Sequence, residues 1–255
     1  MTNPTSEEQR IAVCKTSLNQ INLMLKDSPE SWRDYIPLGR SIVAHIDATT
    51  LMQQPERTTE QAWLIAGLQH LAFIDQDNSS VNDIATWCTS KWQAIYQREP
   101  TNVAAMRGIG QSWLSRAAPS LARINRSNSN ISSDARRAPP IASSEDENLT
   151  GAQLANAERR VGLADYVEAR GYLQAASEYL ERAVAAAPAQ RALSGDLLVT
   201  AAEAYLSLGK VSSPRINERY FRRALQLLGA AAAIRGFTLS PDLQSFLDEY
   251  QWLIE

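Results

Sequence analysis

A chain of 255 residues with 44% hydrophobic content has enough apolar material for a continuous core, which excludes a wholly disordered protein. Its 25 Lys and Arg against 28 Asp and Glu leave a formal charge of -3, so no global field marks it for nucleic acid or an anionic membrane. The opening MTNPTSEEQRIAVCK has no basic stretch followed by an apolar one, and the apolar run LLGAAAAIRGF is short and interrupted by Arg235. Those features predict a soluble intracellular protein, cytoplasmic or nuclear.

Apolar residues recur at helical spacing along most of the chain, and no segment alternates with a period of two, so the expected fold is all-α. The first helix is expected from Ser6, whose hydroxyl caps it while Gln9 reaches back, to Asp27, with Ile11, Leu18, Ile21, Leu23 and Leu25 as its apolar face. Ser28 and Pro29 restart a helix that Pro37 breaks or kinks before LGRSIVAHI resumes, which completes an N-terminal helical region over 1–57. Helices are then expected at about 58–75, 80–98 and 102–117. From 118 to 149 the sequence is rich in Ser, Asn and Pro (NRSNSNISSD, RRAPPIASSEDEN), which predicts a flexible insertion. Helical periodicity returns over 150–236 with breaks near Gly171, Pro188 and Gly209, and 237–255 holds a terminal helix that starts at Ser240 and Pro241.

Leu163, Ala164, Val167, Gly171, Leu173, Ala176, Leu180, Ala183 and Pro188 follow a spacing that resembles the tetratricopeptide repeat, a helical hairpin of about 34 residues. Small residues at Ala164, Ala176 and Ala183 suit a close helix crossing, with the turn expected at Gly171. Leu198, Ala201, Ala202, Tyr205 and Gly209 repeat the pattern of a first helix, and Phe221 and Ala224 that of a second, across an enlarged turn at Ser213 and Pro214. Trp63 and Gly67 with Cys88, Trp92 and Pro100 form a more degenerate unit over 58–117, followed by Met106, Ile109, Gly110 and Trp113 in the register of a first helix. The resemblance implies a right-handed superhelix of antiparallel hairpins, a TPR-like α-solenoid, interrupted by the insertion.

No reactive constellation accompanies these hairpins. Cys14 and Cys88 have no ligand partners at metal spacing, so they read as buried free thiols, and neither a metal nor a cofactor is expected. His45 and His70 stand apart from any nucleophile motif, and GIGQSW lies within a helix rather than after a strand. The resemblance places Glu158, Asp165, Glu168, Asp196 and Glu203 on the groove-lining helices, where carboxylates would attract a basic peptide. The expected function is that of a non-enzymatic scaffold or adaptor binding a protein segment, with no nucleic acid or membrane partner. Alternatives are a histone-type chaperone for a basic protein, or an α-helical ligand-binding or enzymatic domain with a pocket around Trp87, Trp92 and Trp113.

Overall fold

The computed structural model describes residues 4–74, 81–131 and 151–254, and among them there are helices and turns but no strand. The helices are α1 (Pro4–Asp27), α2 (Ile36–Asp47), α3 (Thr58–Phe73), α4 (Asn82–Arg98), α5 (Val103–Ile131), α6 (Gly151–Val161), α7 (Ala164–Ala186), α8 (Gly195–Lys210), α9 (Asn217–Ala232) and α10 (Pro241–Tyr250). The chain divides into two compact units, Met1–Ile109 and Gly110–Glu255, and the division falls inside α5.

In the first unit, Ile11, Cys14, Leu18, Ile21 and Leu25 form the buried stripe of α1, spaced alternately three and four residues apart. Leu23 departs from the expected apolar face and is 64% exposed, because two residues past Ile21 is the far side of a helix. The helix has already begun at Pro4, so Ser6 sits within it rather than capping it. Pro29 opens a 3-10 turn, Pro29–Tyr35, and Pro37 falls in the first turn of α2. There its missing amide hydrogen costs nothing, so Pro37 starts the helix that it was expected to break. Helices α3 and α4 run antiparallel: Thr58 Oγ1 donates to Glu99 at 2.7 Å, Arg98 Nη2 to Gln61 at 2.7 Å, and Cys88 Sγ to the Ile65 carbonyl at 3.7 Å. Buried amides brace this hairpin. Trp92 Nε1 donates to Gln69 Oε1 at 2.5 Å, and Gln69 Nε2 donates to the Gly108 carbonyl at 2.8 Å.

In the second unit α5 crosses α7 closely at Gly110. A β-carbon on Gly110 would stand 2.6 Å from Leu180 Cγ and 3.3 Å from the Ala176 carbonyl oxygen, so only glycine lets the two backbones come this close. Ser120 and Arg123 on α5 meet Glu168 and Asp165 on α7, and Asn128 meets Tyr166, so the pair is antiparallel. Ala117, Ile124, Tyr166, Ala169, Leu173, Leu208 and Val211 form the core beside it.

Two expectations change here. Helix α7 runs for 23 residues straight through Gly171, and the chain turns instead at Gly162 and Leu163. Leu163 and Val167 are therefore 57% and 51% exposed rather than packed in a hairpin, and the first helix that pairs with Ala176 and Leu180 is α5. The expected insertion is helical from 118 to 131 despite Pro119, because Ser120 and Ile124 are buried and Leu121 packs beside them. Tertiary burial outweighs the hydrogen bond that a mid-helix proline removes. The rest of that segment, 132–149, lies outside the described residues.

Helices α8 and α9 form a second antiparallel hairpin, in which Gly209 meets Phe221 at one end and Gly195 meets the Phe237 ring at the other. Ser194 caps α8 by accepting from the Leu197 amide at 3.2 Å, and Ser240 caps α10 by accepting from Leu243 at 3.4 Å, with Pro241 in its first turn.

Opposite outcomes are expected at two glycines. Gly171→Ala adds a β-carbon that meets nothing within 4 Å and should stabilise the second unit by up to about 1 kcal/mol through helix propensity. Gly110→Ala forces Leu180 or the backbone to move and should cost about 1–3 kcal/mol. Thermal melts of both variants check this, and a drop in melting temperature for Gly171→Ala would return that residue to a turn.

Candidate functional site

The acidic residues singled out by sequence all lie in the second unit, but they are not one surface. Glu158 on α6 accepts from Ser213 Oγ at 2.8 Å and pairs with Arg215 at 3.2 Å. Asp165 and Glu168 share Arg123, at 2.7 Å from Nε and 2.6 Å from Nη2, and Ser120 Oγ also donates to Glu168 at 2.7 Å. The fork of one guanidinium thus closes two carboxylates that stand one turn apart on α7. The hydrogen bond to Asp165, and then the attraction of both carboxylates, raises the Arg123 pKa further above its ordinary value.

Asp196 and Glu203 differ from these. Both are exposed on α8, and neither carboxylate has an ion-pair partner among the described residues. With Val199, Thr200, Leu206 and Ser207, all partly exposed, they form one side of the helix at spacings of three and four. Asp196 sits in the first turn of α8, where the helix dipole favours a negative charge. Glu203 reaches water, yet protein atoms crowd its carboxyl enough that desolvation raises its pKa, and no cation among the described residues lowers it again.

Aromatic groups take several separate places. Trp92 is buried in the first unit and spends its indole N–H on Gln69, whereas Trp87 donates to Asp47 at 2.9 Å with Lys91 over its ring. Trp113, in the second unit, stacks on Tyr172 with centroids 6.0 Å apart and carries Arg116 over its face at 4.7 Å. Each ring is occupied by a neighbour of its own. On the other side of α8, Tyr205 stacks on Tyr220 and lies beside the Glu181–Arg223 pair. Burial, and next the Glu181 charge, push its phenol up to about 12. Burial also raises the thiol pKa values of Cys14 and Cys88, so both are protonated and unreactive at neutral pH. His45 and His70 are exposed, and among the described residues no group of three or more His, Cys, Asp or Glu could hold a metal. No helix among the described residues is long and apolar enough to cross a membrane.

Sequence reasoning placed Arg123 in a basic stretch able to meet the acidic residues but assigned it, with Ser120, to a flexible insertion rather than to a helix. Their spacing of three, continuing the α5 periodicity past Pro119, was the available signal. No protein-family model matches the chain, and no curated protein or solved structure matches it.

Arg123→Ala should lower the melting temperature by less than Gly110→Ala does, since all three partners are partly exposed, and the loss should shrink as salt rises. Arg123→Lys, which keeps the charge but loses the fork, should fall between. A loss that did not respond to salt would assign the role of Arg123 to packing.

Proposed function

We propose that the protein is a non-enzymatic adaptor whose helical hairpins, of the tetratricopeptide-like kind, hold a segment of a partner protein along the open side of α8. The observation that carries this reading is Glu203. It is an exposed carboxylate with no cation beside it among the described residues, on a helix side whose neighbours Val199, Thr200 and Leu206 are only partly covered, and crowding by protein atoms raises its pKa. A charge kept at a cost to the fold is what a binding surface retains for its partner. Small residues at the crossings support the hairpin part of the proposal: Gly110 against Ala176 and Leu180, Gly209 against Phe221, and fully buried Ala201, Ala202 and Ala224. With Glu158, Asp165 and Glu168 already facing arginines, the acidic surface narrows to Asp196 and Glu203. That favours a short basic segment with apolar side chains over the wrapping of a large basic protein.

The test is selection of peptides displayed on phage by the full chain, followed by fluorescence anisotropy with the enriched peptide. Lys- or Arg-containing peptides should emerge, and Asp196→Lys with Glu203→Lys should weaken them at least about tenfold, about 1.4 kcal/mol or more. Peptides without basic residues, or binding indifferent to both changes, would overturn the reading.

Glu203→Gln gives a sharper check. Because the folded pKa is raised, the protein loses stability as pH climbs from the ordinary carboxylate value through the folded one. Glu203→Gln should therefore melt slightly higher at neutral pH, by less than about 1 kcal/mol in stability after solvent screening, and match the parent at acid pH. It should also bind the basic peptide more weakly.

A further inference from the structure

A second surface, independent of the α8 carboxylates, lies where α6 ends, α7 begins and the turn between α8 and α9 comes round. Arg170 on α7 organises it. Its Nη1 donates to the Val161 carbonyl at 3.2 Å and the Val211 carbonyl at 2.9 Å, tying the end of α6 to the start of that turn, and no carboxylate among the described residues pairs with it. Glu158 holds the turn from the α6 side through Ser213 and Arg215. Around these contacts positive charge is in surplus. Among the described residues the side chains of Arg159, Arg160 and Lys210 make no hydrogen bond or ion pair, and that of Arg219 is engaged only with Tyr220, over whose ring it lies at 4.6 Å. The nearby carboxylates are already occupied, Asp165 and Glu168 by Arg123 and Glu218 by Arg222.

Apolar side chains stand among these cations. Val167, 51% exposed, lies with Arg170 on one side of α7, and Leu163, 57% exposed, stands in the turn just before the helix. Ile216, 41% exposed, closes the turn that Arg170 and Glu158 hold. The helix stays open beyond Arg170, because a β-carbon on Gly171 would touch nothing within 4 Å.

We propose that this junction docks an acidic segment of a partner protein that carries aliphatic or aromatic side chains between its carboxylates. Carboxylates supply the acceptors that Arg159, Arg160 and the free edge of Arg170 lack, and guanidinium–carboxylate geometry suits such pairing. The apolar residues decide between occupants. Leu163, Val167 and Ile216 offer nothing to a phosphate backbone or a uniformly charged polymer, but they bury the hydrophobic side of an amphipathic helix. The protein would then carry an acidic and a basic docking surface on one unit, as an adaptor between unlike partners requires.

The experiment uses the full chain and fluorescence anisotropy with defined probes. These are a fluorescein-labelled peptide of Glu and Asp with Leu and Phe at helical spacing, polyglutamate of equal length, and a single-stranded RNA oligonucleotide. The amphipathic peptide should bind, more weakly as salt rises, and polyglutamate and RNA should bind far less well. Arg159→Glu with Arg160→Glu should weaken the peptide at least about tenfold, as should Leu163→Ser with Val167→Ser. Both pairs should melt with the parent, since these side chains are exposed or without polar partners, and Asp196→Lys with Glu203→Lys should leave this binding unchanged. Retention of the peptide by either of the first two pairs, equal binding of polyglutamate or RNA, or no binding of the peptide would overturn the proposal, whatever the outcome on α8.

Discussion

The close approach of α5 to α7 at Gly110 is the constraint on which the second unit depends. With no β-carbon at Gly110, the fully buried Leu180 and the Ala176 carbonyl lie directly against the α5 backbone. That contact fixes the distance between the helices, and the rest of the interface follows from their antiparallel run. Ala117 and Ile124 reach the core around Tyr166, Ala169 and Leu173, and Ser120 and Arg123 come opposite Glu168 and Asp165. The same core takes in Leu208 and Val211 at the end of α8, so the α8–α9 turn is positioned by the same packing.

Charge is then sorted by that geometry. Glu158, Asp165 and Glu168 fall within reach of arginines from α5 and from the α8–α9 turn, whereas the acidic residues of α8 face no cation among the described residues. The arginines around the α6–α7 junction fall where the carboxylates are already occupied. A chain with nearly balanced composition thereby acquires local surfaces of opposite sign. Such segregation adds little to folding stability, because exposed pairs are weak, but it discriminates strongly between partners.

How much of the candidate site was legible depended on what each residue needed from the rest of the fold. Asp196 and Glu203 could be placed on an exposed side of α8 by period alone, because Leu197, Leu198, Ala201, Ala202 and Ala204 mark the buried side. Glu158, Asp165 and Glu168 could be recognised as exposed acids and Arg123 as part of a basic stretch that could reach them, but nothing local told that it would do so from a helix or that Arg215 would meet Glu158. Arg170 carried no signal at all, since its partners are main-chain carbonyls, one of them 41 residues away.

The amino-acid order by itself determined that the chain is helical, where most helices lie, the start of α10 at Ser240, and the hairpin of α8 and α9, whose segments are separated only by a short turn. These features depend on the 3.6-residue period, on small residues at crossings and on side chains that reach their own backbone. Tertiary structure decided that α5 continues past Pro119, for which the periodicity gave only a hint, that α7 ignores Gly171, and that α5 rather than 163–167 supplies the partner of Ala176 and Leu180. Local propensity at Pro119 and Gly171 amounts to one lost hydrogen bond and about 1 kcal/mol. The burial of Ala117, Ile124, Tyr166 and Leu173 exceeds it, and that burial arises only when two segments far apart in sequence pack together.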